Sequence, residues 1–215
     1  MPDIEGITIV VPCYNESVEV LLQTIGSIQE ALNRTGMPPY EIVVVDDGSQ
    51  THSYESVPED SRLRMIRHHQ NKGYGAALKT GIQHARYDWI GITDADGTYP
   101  NDRFGDLIRE AGGGYHMVVG ARNWKDISLL RRFPKWILTR FASFLAGYPI
   151  QDLNSGMRIF EKSMARAFWK LYPNGFSFTS TITMACVTNA YELWYVPIDY
   201  YKRIGKSNIH PIKDT

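Results

Sequence analysis

"EIVVVDDGS", residues 41–49, carries four consecutive apolar residues into two aspartates, a glycine and a serine. A strand with one wet face alternates apolar and polar side chains. This run is apolar on both sides, as a parallel strand covered on both faces requires. Comparable short runs stand at Ile7–Val11, Leu63–Arg67, Trp89–Thr93 and Met117–Gly120, and segments with helical spacing lie between them at 17–33, 74–86 and 101–111. The alternation predicts an α/β fold with a Rossmann-like, mostly parallel central sheet flanked by helices. In such sheets ligands gather beyond the carboxyl ends of the strands.

The residues that follow each strand therefore matter most. Pro12, Cys13, Tyr14, Asn15 and Glu16 follow the first, and Asp46 and Asp47 the second. The fourth ends in Asp94-Ala95-Asp96 and the fifth in Gly120-Ala121-Arg122. Acidic, aromatic and arginine side chains are thus expected on one sheet edge.

From about 123 the rhythm changes. "SLLRRFPKWILTRFASFLAG" (128–147) reads as a basic, aromatic helix, followed by a loop at 151–156 and a strand at Met157–Phe160. A helix near 178–190, a strand at 192–200 and the polar stretch "KRIGKSNIHPIKDT" complete the chain. With 215 residues and no internal repeat or linker, a single domain over 1–215 is expected.

Composition excludes some partners. The 23 basic and 23 acidic residues cancel, so no global field favours nucleic acid or a membrane surface, although local patches are compatible with either. Two cysteines in apolar segments give no disulfide framework, and a reducing cytoplasm is the expected setting. The opening "MPDIEGITIV" lacks the basic region of a signal peptide, and no stretch reaches 18 apolar residues.

Asp94 and Asp96 repel each other unless a cation lies between them. Two carboxylates suit Mg2+ or Mn2+, which take their remaining oxygens from water and substrate phosphates. The plainer alternative is an Asp-rich turn before the helix near Asn101. Asp46-Asp47-Gly48-Ser49 is likewise either a turn or one wall of a nucleoside site, with Tyr14 against a base and Glu16 or Asp46 hydrogen-bonding base or ribose. Arg122 offers a planar fork for a diphosphate.

"NKGYGAALKTG" (71–81) is neither a P-loop nor a dinucleotide fingerprint, because Leu78 stands where each requires glycine. It reads as a glycine-permitted turn into a helix packed close to the sheet, with Lys72 in reach of a phosphate. No zinc-type spacing and no nucleophile elbow occur, and the six histidines read as ordinary surface or core residues.

In order, "VVPCYNE", "VVVDDGS", "NKGYGAALKTGI", "DADGTYP", "GAR", "QDLNSGMRIF" and "KRIGKSN" resemble the inverting glycosyltransferases of GT-A fold. The likeness, over about 6–213, is greatest to the branch of dolichyl-phosphate mannose synthase and the bacterial polyprenyl-phosphate glycosyltransferases. It implies a nucleotide-sugar-binding half over about 6–122 and an acceptor-binding half over about 123–215. It also implies a GDP- or UDP-linked hexose donor lined by Pro12, Tyr14, Glu16, Asp46, Asp47 and Lys72. Asp94 and Asp96 would hold Mg2+ or Mn2+ at the diphosphate, with Arg122 adding charge. Arg203 and Lys206 resemble a basic loop that closes over the diphosphate.

On the acceptor side the resemblance places Asp152 as the candidate base, with Arg131, Arg132 and Ser155 around a polyprenyl phosphate. A phosphate monoester is mostly a dianion at neutral pH and is its own nucleophile, which would leave Asp152 an orienting role; a hydroxyl acceptor would need a true base. The rival readings are transfer to a saccharide or protein hydroxyl, and a non-catalytic nucleotide-sugar-binding module. The chain departs from the mannose synthase pattern at Thr98, often glutamine there, and at Asn208, frequently lysine. The segment 128–147 either lies in the membrane interface through Trp136, Phe141 and Phe144, which would place the protein at the cytoplasmic face, or packs on its own core.

Overall fold

The computed structural model describes residues 4–34, 36–51, 55, 57, 58, 60–123 and 129–202, and for 129–135 the backbone alone. Its elements are β1 (Ile7–Cys13), α1 (Val18–Leu32), β2 (Tyr40–Asp46), β3 (Leu63–Arg67), α2 (Tyr74–His84), β4 (Trp89–Ile92), α3 (Phe104–Ala111), β5 (Met117–Arg122), α4 (Leu129–Ala146), β6 (Arg158–Glu161), α5 (Lys162–Ala167), α6 (Phe178–Thr188) and β7 (Leu193–Ile198). The strands make one sheet in the order β3-β2-β1-β4-β6-β5-β7. Only β6 runs against its neighbours, pairing antiparallel with both β4 and β5.

Apolar runs mark these strands because both faces are covered. Ile7, Ile9, Val11 and Cys13 of β1 pack with Leu21, Ile25 and Ile28 of α1 and Phe104 and Leu107 of α3. Val10, Val43 and Val45 point the other way, against Ala77, Leu78 and Ile82 of α2 and Phe178 and Ile182 of α6. Each Val, Leu, Ile or Phe among them contributes about 1.5–3 kcal/mol on full burial. Gly81 lets α2 lie close to the sheet: a Cβ there would stand 2.2 Å from Cγ1 of Val10.

β1 sits where the strand order turns, with β2 on one side and β4 on the other. Its register with β2 continues to Cys13↔Asp46, but that with β4 stops at Val10↔Ile92. The Val10 carbonyl accepts from Thr93, so alternate residues, Pro12 included, face β4. Pro12 has no N–H and falls where the β4 ladder has already ended. The parted strands open the crevice that this topology provides for ligands.

Most expected elements appear within a residue or two. The strand placed at Met157–Phe160 begins one residue later, and 101–111 divides into a 3₁₀ turn at Asn101–Arg103 followed by α3. The six-residue α5 and the 3₁₀ turn Trp169–Leu171 are too short to register as a helical period.

α4 is amphipathic in an unusual sense. Thr139 and Ala142 are buried, whereas Trp136, Ile137, Leu138, Phe141, Phe144 and Leu145 are exposed, Phe144 to 81%. From Trp136 onward the helix presents small residues to the protein and large apolar ones outward. Among the described residues, no helix is long and apolar enough to cross a membrane.

Candidate active site

The loops after β1 and β2 are tied together. Asn15, at φ 56°, donates its amide to Ser49 Oγ (2.8 Å), and its side-chain oxygen accepts the Gln50 amide (2.8 Å). Asparagine tolerates this left-handed backbone better than most residues. Gly48, at φ 75°, is required by space as well: a Cβ would lie 2.5 Å from the Gln70 carbonyl carbon.

Asp46 is buried. Its Oδ1 accepts the Ser49 amide at 3.1 Å, and its Oδ2 lies 3.3 Å from Arg67 Nε as an ion pair without a hydrogen bond. Asp47 is spent on the next loop: Oδ1 accepts the Lys72 amide (2.9 Å) and Oδ2 the Gly73 amide (2.8 Å). Of the residues expected around a nucleoside, Pro12, Glu16, Asp46 and Asp47 are buried, Tyr14 is half-buried and the Lys72 side chain is exposed.

Asp94 and Asp96 stand just beyond β4. Tyr74 donates its hydroxyl to Asp94 Oδ1 at 2.9 Å, and Asp96 Oδ1 accepts both the amide (3.1 Å) and the hydroxyl (2.6 Å) of Thr98. Burial, then the neighbouring Asp94 charge, push the Tyr74 pKa well up, so the phenol stays a donor. Thr98, where glutamine is frequent in mannose synthases, thus fixes Asp96 from within its own turn.

Opposite Asp94 lies Gly156, whose amide donates to Tyr99 Oη (2.7 Å). A Cβ at 156 would come within 3.0 Å of both Asp94 oxygens, so this glycine keeps the space beside the carboxylate clear. Among the described residues no group of three or more His, Cys, Asp and Glu side chains could hold a metal ion. Two hydroxyl-braced carboxylates with room beside them fit an ion whose other ligands are phosphate oxygens and water.

Arg122, at the end of β5, and Asp152 form a two-pronged pair, with Nε 2.8 Å from Oδ2 and Nη2 2.9 Å from Oδ1. Oδ2 also accepts the Arg122 amide and Oδ1 the Asn154 amide, each at 3.2 Å. Asp152 is 1% exposed. Burial opposes the Arg122 charge, but Tyr99, Asp152 and Tyr200 outweigh it and hold the guanidinium pKa well above its usual value. Arg122 also lies over the Tyr200 ring, 5.2 Å from its centroid, and Tyr200 meets Tyr99 edge-on.

Ser155, expected on the acceptor side, is held within the fold. It is fully buried, and its hydroxyl donates to the Gly120 carbonyl at 2.6 Å. Beneath it the fully buried Arg158 donates through Nε and Nη2 to the Ser155 carbonyl, and through Nη1 to Thr179 O (3.0 Å) and Thr183 Oγ1 (2.8 Å). This arginine anchors the 152–156 loop to α6. The side chains of Arg131 and Arg132, and all of Arg203 and Lys206, lie outside the described residues.

Sequence reasoning missed Tyr74, Tyr99, Tyr200 and Arg158. Tyr74, Tyr99 and Arg158 lie inside the family-like motifs, but nothing in the spacing says that the two hydroxyls turn to Asp94 and Gly156 or that the guanidinium holds the 152–156 loop. His68, expected to be ordinary, is buried against Asp47.

A mostly parallel sheet with one reversed strand, opening at β1/β4 beside a paired-aspartate rim, is the architecture of a GT-A glycosyltransferase. The sequence model of glycosyl transferase family 2 matches residues 8–169, and the chain belongs to that family.

It is 28% identical over 215 residues to the dolichyl-phosphate hexose transferase of Haloferax volcanii, covering 96% of this chain and 88% of that protein. It is 28% identical over 176 residues to the undecaprenyl-phosphate 4-deoxy-4-formamido-L-arabinose transferase of Shewanella sediminis, covering 77% of this chain and 51% of the other. The chain thus spans about half the length of this second relative.

Among solved structures, glucosyl-3-phosphoglycerate synthase from Mycobacterium tuberculosis with Mn2+, UDP and product superposes with a TM-score of 0.68 at 17% identity, over 94% of this chain and 73% of that one. The mannosyltransferase PcManGT from Pyrobaculum calidifontis, with GDP-Man and Mn2+, gives 0.63 at 21%, over 94% and 58%. At these identities the likeness is one of fold.

Proposed function

We propose that the protein transfers a hexose from a nucleotide sugar to a polyprenyl phosphate, with inversion at the anomeric carbon. The observation that carries the choice of acceptor is the state of Asp152. Three hydrogen bonds from Arg122 and one from the Asn154 amide reach its two oxygens. A buried carboxylate so engaged is a poor proton acceptor, and a phosphate dianion needs none. The names of the Haloferax and Shewanella relatives, both transferases to lipid-linked phosphates, agree with this reading.

In this mechanism an oxygen of the acceptor phosphate attacks the anomeric carbon. The bond from that carbon to the diphosphate breaks, and the nucleoside diphosphate leaves with the electron pair. Asp94 and Asp96 would hold the Mg2+ or Mn2+ that neutralises the diphosphate. Arg122, kept in place by Asp152, adds a fixed positive charge where negative charge grows. The loops at 14–16 and 46–50 receive the nucleoside, and Lys72 faces the phosphates. The similarly folded structures that hold UDP or GDP-Man with Mn2+ agree with this assignment.

The outward apolar face of α4 fits a lipid surface: aromatic and aliphatic side chains reach the acyl boundary, while Arg140, also exposed, meets anionic headgroups. A membrane-held acceptor would then be delivered beside the site.

The test is a thermal-shift screen of GDP- and UDP-sugars with Mn2+, followed by transfer to undecaprenyl or dolichyl phosphate using the donor that stabilises. Asp94→Asn and Asp96→Asn should each lower turnover about a hundredfold and weaken the manganese dependence. Turnover and metal dependence unchanged in both variants would refute the assignment.

A further inference from the structure

We propose that His68 is a positioning residue for the sugar-donor site, acting through Asp47. It lies one residue past β3, and no part of the transfer chemistry described above uses it. His68 is 6% exposed, with Nδ1 2.6 Å from Asp47 Oδ1 and Nε2 2.8 Å from Thr80 Oγ1 on α2. A carboxylate only accepts, so Nδ1 carries a proton toward Asp47, and Nε2 pairs with the Thr80 hydroxyl.

The contacts form a continuous chain toward the metal ligands. His68 fixes the Asp47 carboxylate, and Asp47 fixes the amides of Lys72 and Gly73. Gly73, at φ 100°, is the N-cap of α2, and the next residue, Tyr74, donates to Asp94. A Cβ at Gly73 would lie 2.5 Å from the Asn174 carbonyl oxygen, so the cap has little freedom to readjust if Asp47 shifts. An apolar side chain of similar size would fill the same space. It would also leave a buried carboxylate short of one donor, and that carboxylate sets both the Lys72 backbone and the Tyr74–Asp94 contact. The role rests on reading the 71–74 loop as part of the sugar-donor site.

His68→Asn and His68→Gln separate this role from simple packing. The asparagine amide can take the place of Nδ1 and still donate to Asp47. The glutamine amide takes the place of Nε2 and reaches Thr80 instead. Calorimetry with UDP and with GDP, each with Mn2+, should show the nucleotide bound by the wild type held about tenfold more weakly by His68→Gln and nearly unchanged by His68→Asn. In the wild type, nitrogen NMR of the ring should show Nδ1 protonated. Equal binding by His68→Gln and wild type, equal impairment of the two variants, or an Nε2–H tautomer would overturn the proposal. Failure of the underlying reading has a different signature: the wild type itself then binds neither nucleotide, and the role of His68 falls with the site.

Discussion

Replacing Asp152 with asparagine tests the acceptor assignment most directly. The change swaps one of two acceptor oxygens for an NH2 group facing Arg122, whose Nε and Nη2 now donate at 2.8 and 2.9 Å. Breaking a buried pair by removing one partner costs about 3–5 kcal/mol, because the remaining charge stays buried. For a domain of this size the melting temperature should fall by on the order of 10 °C. If Arg122 serves the departing diphosphate as proposed, turnover should also fall, about a hundredfold, as the guanidinium loses its fixed position.

A base would give a loss of similar size, so the rate alone does not decide. Two further measurements do. If Asp152 acts only through Arg122, the double variant Arg122→Ala/Asp152→Asn is no slower than Arg122→Ala alone. The acid limb of the pH–rate profile also persists in Asp152→Asn, because it belongs to the second ionisation of the acceptor phosphate, near pH ~6. Multiplicative losses in the cycle, together with an acid limb abolished in the variant, would refute the clamp and return Asp152 to service as a base for a hydroxyl acceptor.

Two other perturbations follow from the geometry. Gly156→Ala places a methyl group 3.0 Å from both Asp94 oxygens at a position without positive φ, so the fold should tolerate it while the apparent affinity for Mn2+ in turnover drops about tenfold; an unchanged metal dependence would count against the role of Gly156. Exchanging Trp136, Phe141 and Phe144 together for serine removes three exposed apolar side chains of α4, so binding to anionic vesicles in flotation should be lost while the melting temperature holds; retained binding would remove α4 as the membrane contact.

Much of the architecture was legible in the chain. A strand buried on both faces must be apolar throughout, so Ile42–Val45 and Ile9–Val11 declare a parallel sheet, and the acids at the ends of β2 and β4 stand on the edge where its crevice opens. The reversal of β6 between β4 and β5 was not legible, because a four-residue buried strand has the same composition in either direction.

The site divides in the same way. Spacing alone puts Asp94 and Asp96 at one strand end, since two positions along a chain fix their proximity. One partner of Asp152, Arg122, lies thirty residues earlier, and one of Asp94, Tyr74, lies twenty residues earlier. Those pairings are set by how β5, the 152–156 loop and the N-terminus of α2 converge at the crevice. Sequence therefore determined which chemical groups were present and on which edge they gather. Only the tertiary structure decided that Asp152 holds an arginine, that Ser155 is sealed inside, and that α4 turns its large side chains outward, because each depends on contacts between segments far apart in the chain.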